Sequence, residues 1–394
     1  MSVPTVRRSY RWVILVVGVL AQAATCTFSY GLPMLLPAFR SEDGLTLFAG
    51  SLVVSAPIAG LLLTLIAWGA AADRFGERVV MATGTALAAG FVALAAFGHS
   101  TWVLCLFLAL AGAAGASVNA ASGRVVMGWF TVDERGRAMG ARQTAQPLGL
   151  AIAAVALPGL AHHWGLRAAL LFPAIFCAVI ALAVALCVLD PPRRAPVPGE
   201  LVRSPYKEKT IWRVHAASAL LVVPQFAVSA FALEYLVHQR NWSPVGAGRL
   251  VFAFQLAGGI ARIGSGVWSD AVASRLRPMR QLAMASALLM IGLCVGTTNN
   301  SVIVVAVFGL AAVVTVADNG LAYTSVAEMA GNSWTGRALG VQNTGQNLAS
   351  LATAPVLAAI IGDSRYALAF GLVALAPILA VPLVPVRAER ARRS

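Results

Sequence analysis

Gly69-Ala70-Ala71-Ala72-Asp73-Arg74-Phe75-Gly76-Glu77-Arg78 places Asp73, Arg74, Glu77 and Arg78 in one short turn between two apolar runs, Leu47 to Ala72 and Val79 to Gly98. A bilayer core of roughly 30 Å is crossed by about 20 apolar helical residues, so a charged turn between two such runs marks a chain that crosses a membrane and returns. A shortened copy comes back as Gly266-x-x-x-Asp270, offset by 197 residues, again at the end of an apolar run. The same chemistry at the same place in both halves predicts a duplicated, polytopic helical membrane protein.

Outward from that turn the pattern continues in both directions. Apolar runs fall at Trp12 to Pro37, Leu47 to Ala72, Val79 to Gly98, Trp102 to Met127, Ala138 to Ala161 and Ala168 to Leu189. Six more follow at Trp212 to Val237, Val245 to Ser269, Met279 to Gly296, Val302 to Val326, Ala338 to Ile361 and Ala367 to Val386. The 394 residues are 59% hydrophobic and 11% charged, where a soluble domain carries about a quarter charged residues. A net charge of +14 suggests nucleic acid only if the cations form a continuous face. Here they flank the apolar runs, so no nucleic-acid partner is expected and the lipid bilayer is.

Arg7, Arg8 and Arg11 precede the first run, which lacks a small-residue cleavage site and reads as a retained helix. With that end placed in the cytoplasm, 23 of the 29 Lys+Arg fall on the cytoplasmic side, as the positive-inside rule requires. Five, Arg40, Arg167, Arg240, Arg249 and Arg365, fall on the other, and Arg262 remains inside the eighth run. The expected localisation is therefore multi-pass in the cytoplasmic (inner) membrane with both termini cytoplasmic.

A proline-rich, charged linker over 190–210 separates the runs into an N-terminal six-helix bundle, 1–189, and a C-terminal one, 211–394. Gly136-Arg137-Ala138-Met139-Gly140 with Thr144, Gln146 and Leu148 recurs at a constant offset of 200 as Gly336-Arg337-Ala338-Leu339-Gly340 with Thr344, Gln346 and Leu348. Two repeats that start on the same side are parallel repeats about an axis along the membrane normal.

The turn from Gly69 to Arg78 closely resembles the signature loop between helices 2 and 3 of the major facilitator superfamily, and Trp129 to Ala138 is similar to its helix 4 to 5 region. The fold this implies is all-α, with twelve transmembrane helices. The resemblance further implies a cytoplasmic latch carried by Gly69, Asp73, Arg74, Gly76, Arg78, Gly266 and Asp270, with Arg124 as the partner of Asp73. Ala145-Gln146-Pro147-Leu148-Gly149 matches poorly the Gly-Pro motif of the drug exporters.

Arg262 is the residue such a fold must explain. Eight residues separate it from Asp270, about 12 Å along a helix, which puts an always-charged guanidinium near the bilayer midplane. An ionisable residue at that depth is a functional-site candidate with a partner. Arg262-Ile263-x-x-Gly266-x-x-Ser269-Asp270 resembles helix 8 of the oxalate/formate antiporter and monocarboxylate transporter groups, where the arginine is implied to hold the substrate carboxylate. A structural ion pair with Asp318 on the tenth helix, also near mid-depth, is the alternative, and the two are compatible in different states. Asp318 is also the candidate for proton coupling, since burial favours the neutral carboxyl and a nearby guanidinium the ionised one.

The eleventh helix carries Gln342, Asn343, Gln346, Asn347 and Ser350 at spacings of three and four, on one face. Asn343 and Gln346, with Tyr30 and Asn119 in the N-terminal bundle, are candidate substrate contacts beside Arg262. Glu234, close to the outer end of the seventh helix, reads as an interfacial acid, with an outer gate residue as the alternative. The five histidines fall at loops or helix ends, with no intramembrane His/carboxylate cluster for acid-base or metal chemistry, so an enzyme is not expected, nor a cofactor or metal. The expectation is a monomeric secondary transporter of a small organic anion, a monocarboxylate, driven by protons. A proton-driven exporter of drugs or metabolites is the alternative.

Overall fold

A computed structural model describes residues 9–98, 100–130, 138, 141–190, 204–298 and 303–393, without the side chains at 73, 127, 332, 333, 335, 336 and 390–393. Most of the expected linker, Arg135, Arg137 and the Asp73 carboxylate lie outside the described residues. Those described form helices and turns, with eleven stretches long and apolar enough to cross a membrane. The longest of these, Ala141–Cys187, is two helices, because Gly165 interrupts it at φ 77°. A positive φ is strained for residues with a Cβ and open to glycine. Among the described residues, the helices long and apolar enough to cross a membrane thus number twelve.

In chain order they are α1 (Tyr10–Ser29), α2 (Leu47–Phe75), α3 (Glu77–Ala95), α4 (Thr101–Trp129), α5 (145–164) and α6 (166–187). The second six are α7 (Lys209–His238), α8 (Pro244–Ala271), α9 (Leu276–Thr298), α10 (Ile303–Gly331), α11 (Arg337–Ile361) and α12 (Tyr366–Glu389). The first helix is shorter than its apolar run, ending at Ser29 rather than Pro37. A Cβ at Gly31 would stand 2.1 Å from Thr27 O and 2.4 Å from Ala153 Cβ, so the chain there lies against α5. It continues as a tight turn, Leu32–Leu35, and a short helix, Leu36–Ser41, each opened by a proline.

The chain groups into two compact units, Met1–Pro198 with Ser243–Phe252, and Gly199–Trp242 with Ala253–Ser394. The first is centred on Phe28, Met81, Val92, Val118, Cys177 and Val184. Its α2 and α4 meet through glycines: a Cβ at Gly60 would fall 1.8 Å from Ala109 O, and one at Gly112 1.8 Å from Pro57 O. Such close backbone approach through small residues is how helices associate in lipid. The second unit is centred on Ile211, Leu221, Met279, Ala283, Leu321 and Val326. Outward-facing residues are apolar as well, Ile66 at 87% and Leu63 at 85% exposure. Water would penalise such a surface at about 25 cal/mol per Å²; hydrocarbon does not.

Candidate functional site

In the second unit, α8 carries Arg262 half-buried, and α10 carries Asp318, 2% exposed. The guanidinium lies within electrostatic reach of the carboxyl. Helical hydrogen bonding along α10 is interrupted for one residue at Asp318, although its φ of −76° and ψ of −21° stay near helical values. Ser265, one turn beyond Arg262, reaches across with its hydroxyl 2.6 Å from Ala317 O and 2.9 Å from Arg262 O. Asp318 Oδ2 is sealed from solvent with no hydrogen-bond partner among the described residues. A buried polar atom in that state costs about 1–3 kcal/mol.

The residue after Asp318 opens a polar network linking α7, α10 and α11. Asn319 Nδ2 donates to Gln225 Oε1 (2.8 Å), and Gln346 Nε2 donates to Asn319 Oδ1 (3.1 Å) and Ser218 Oγ (2.7 Å). The Tyr323 hydroxyl stands 3.1 Å from Asn343 Oδ1 and 3.0 Å from Gln346 Oε1, and Asn347 Nδ2 donates to Asn343 Oδ1 at 3.1 Å. Gln342 donates to Ser218 and is bonded through Oε1 to His215 Nδ1. Asn343 and Gln346, singled out by spacing, thus sit inside one continuous network. Gln225, Ser218, Asn319 and Tyr323 were not foreseen. His215 stands in the second turn of α7 with both ring nitrogens engaged, Nε2 lying 3.4 Å from the Tyr206 hydroxyl. Glu234 is fully buried beside His238, 3.6 Å away.

The first unit repeats part of this arrangement. Gln22 Nε2 on α1 donates to Asn119 Oδ1 on α4 at 3.1 Å, as Asn319 on α10 bonds Gln225 on α7. Asn119 and Asn319 differ by 200 residues, the offset already found in the sequence repeat. Ser122 Oγ lies 3.4 Å from Gln22 Oε1 and accepts from Arg142 Nε at 2.9 Å, so this network ends on a second, half-buried arginine. Its counterpart 200 residues on is Gln342. Tyr30 is half-buried at the end of α1.

The two charged turns are also duplicated. At the α2–α3 turn, Arg124 pairs with Glu77 at 3.7 Å and donates to Gly69 O at 3.1 Å. Arg74 lies over the Phe75 ring, 5.3 Å from its centroid, and the Arg78 side chain binds Ala185 O. Asp190, just beyond α6, accepts from the backbone N–H of Arg78 at 2.7 Å, where α3 begins. At the α8–α9 turn, Glu389 in the same way accepts from the backbone N–H of Arg275 (2.7 Å) and Leu276 (3.2 Å). Arg275 in turn pairs with Asp270 and, at 3.2 Å, with Glu328. The backbone matches too: Gly76 has φ 88° and Ala273, 197 residues on, φ 44°. Acids placed on the first amides of a helix satisfy orphan donors and oppose its dipole.

Twelve membrane-crossing helices, two repeats in register and buried polar clusters in each define a transporter rather than an enzyme. The chain belongs to the Major Facilitator Superfamily, whose sequence profile matches residues 18–354. It is 42% identical to an uncharacterized MFS-type transporter of Mycobacterium tuberculosis over 96% of this chain and 85% of that one. To the glycerol-3-phosphate transporter of Bacillus subtilis it is 25% identical over 66% of this chain and 64% of that one. Among solved structures, a D-xylose-proton symporter superposes with a TM-score of 0.74 at 14% identity, covering 96% of this chain and 98% of that one.

Proposed function

We propose that the chain is a secondary active transporter of a small organic anion, in the simplest case a monocarboxylate, coupled to a proton and working by alternating access of its six-helix halves, 1–189 and 211–394. The observation that carries this reading is the sealed Asp318 carboxyl, one oxygen unpartnered, under the charge of Arg262. An ionised carboxylate in that position depends on the guanidinium, because an uncompensated charge in a low-dielectric interior is costly. An anion that takes the guanidinium for itself, through the two parallel bonds arginine offers a carboxylate or phosphate, leaves Asp318 to take a proton. One anion and one proton then move together. The name of the glycerol-3-phosphate transporter, a relative, supports an anion as cargo. The arginine bias supports the cytoplasmic membrane with both termini inside, and the protein acts as a monomer without cofactor. The charged turns serve as cytoplasmic latches, with Asp73 and Arg124 in the first and Asp270 in the second.

The test is thermal stabilisation of the purified protein by short-chain carboxylates at acid and alkaline pH. A ligand that binds only the fold raises the melting temperature by mass action. Stabilisation should be stronger in acid, and Asp318→Asn, which mimics the protonated side chain, should make it independent of pH. Stabilisation by cationic drugs and by no anion would overturn the proposal in favour of the exporter.

A further inference from the structure

We propose that Ser265 is a positioning residue for Arg262 and Asp318: by holding α10 at Ala317 it fixes how closely the Asp318 carboxyl stands to the guanidinium, and so sets the pH at which the cargo anion binds. The inference rests on the proton-coupled anion reading above and deepens it. Ser265 is 5% exposed and follows Arg262 by three residues, on the same face of α8. Its hydroxyl lies 2.6 Å from Ala317 O. Ala317 ends the stretch Ile303–Ala317, and the interruption of α10 comes directly after it, at Asp318. The bond therefore grips α10 at the residue before the sealed carboxyl, one turn of α8 from the guanidinium. Close apolar contact holds the same two helices together nearby: a Cβ at Gly258 would stand 2.9 Å from Val316 Cγ2, and one at Gly309 2.6 Å from the Phe254 ring. Such contacts set the spacing of the helices but have no direction, whereas a hydrogen bond fixes register and rotation through its angle. The first unit carries a comparable tie without the charges. Trp68, 197 residues before Ser265, donates through Nε1 to Ala113 O of α4 at 2.7 Å, and the counterparts of Arg262 and Asp318 there are Leu65 and Val118. Of the elements packed on α10, α8 brings Arg262 within reach of the carboxyl. Next to Asp318, α7 and α11 contribute the uncharged Gln225, Ser218 and Gln346. The titratable His215, and Glu234 with His238, stand toward the two ends of α7, and Arg277 and Arg280 are exposed in the first two turns of α9.

The test is the pH profile of thermal stabilisation of the full-length protein by acetate, propionate and lactate. Wild-type stabilisation should fall as pH rises, with a defined midpoint. In Ser265→Ala that midpoint should move to higher pH by about half a unit, the order of shift that one ordinary hydrogen bond produces, because a carboxyl held less closely to a guanidinium keeps its proton longer. Ser265→Cys, of similar size but a weak donor, should move it the same way, and Ser265→Thr, which keeps the hydroxyl, should restore it. Trp68→Phe, which breaks the tie of the first unit, should lower the melting temperature and leave the midpoint in place. A Ser265→Ala midpoint at or below that of the wild type, with only the melting temperature lowered, would overturn the inference and leave the reading of Arg262 and Asp318 standing. Wild-type stabilisation that is absent for all three anions, or constant with pH, would overturn that reading and this inference with it.

Discussion

Replacing Arg262 and Asp318 singly and together separates an arginine that holds substrate from one that only neutralises an acid. Asp318 is 2% exposed with Oδ2 unpartnered, so Arg262→Ala strands a sealed carboxyl. Breaking a buried charge pair costs about 3–5 kcal/mol, and the half-buried guanidinium sets the expectation at the lower end, about 3 kcal/mol. That should appear as a clearly lowered melting temperature. Asp318→Ala should cost less, since the guanidinium left behind retains some exposure. The double variant should regain much of the loss, because neither charge is then stranded. Binding should behave differently. A guanidinium-carboxylate contact contributes about 1.5–3 kcal/mol per charge-assisted hydrogen bond, which is roughly tenfold to hundredfold in affinity. Arg262→Ala and the double variant should therefore both lose carboxylate binding, measured by thermal-shift titration, and Arg262→Lys should weaken it because an ammonium lacks the planar fork. A folded double variant that binds carboxylate at wild-type strength would refute the anchoring role and leave only the ion pair.

Single cysteines at Glu208 and Thr298 should be labelled from opposite faces of the membrane by an impermeant maleimide; labelling from one face would break the two-bundle topology. Asp73→Asn should slow counterflow in vesicles while leaving the binding constant nearly unchanged, because the α2–α3 turn stands apart in the chain from Arg262 and Asp318; a large affinity loss with normal turnover would contradict the latch. Glu389→Gln and Asp190→Asn should each lower thermal stability by about 1 kcal/mol, the usual worth of an N-terminal helix cap. Substitutions that leave the melting temperature unmoved would mean that water replaces these caps at no cost.

Turns and apolar lengths were legible because the bilayer sets them: charges could stand only between runs of fixed span, and the repeat offsets near 197 and 200 announced the duplication. The approach of α8 to α10 near Arg262 and Asp318, seen where Ser265 bonds Ala317 O, was expected from counting residues along straight helices. The end of α1 at Ser29 was not legible, because it depends on Gly31 lying against Ala153, more than a hundred residues away. Gln225 and Ser218 escaped for a related reason. A single amide or hydroxyl in an apolar run has no spacing signal, and only the packing of α7 against α10 and α11 reveals that it completes a network. The equal offset of Asn119 and Asn319 was the available clue, since a duplicated asparagine inside two apolar runs is unusual.

The paired helix caps bear on how the protein is made. Arg78 and the carboxylate that closes its turn are 112 residues apart, and Arg275 and its closing carboxylate 114. During synthesis each third helix is laid down early, while the acid that completes it leaves the ribosome only after the sixth helix has been threaded. Until then the first amides of that helix must borrow water at the membrane surface. Each bundle is thus fastened by an acid at the end of its own sixth helix, and the first can be fastened before the second is begun. A ribosome that stalls inside either repeat leaves an open turn at the membrane face, a mark by which unfinished chains differ from finished ones.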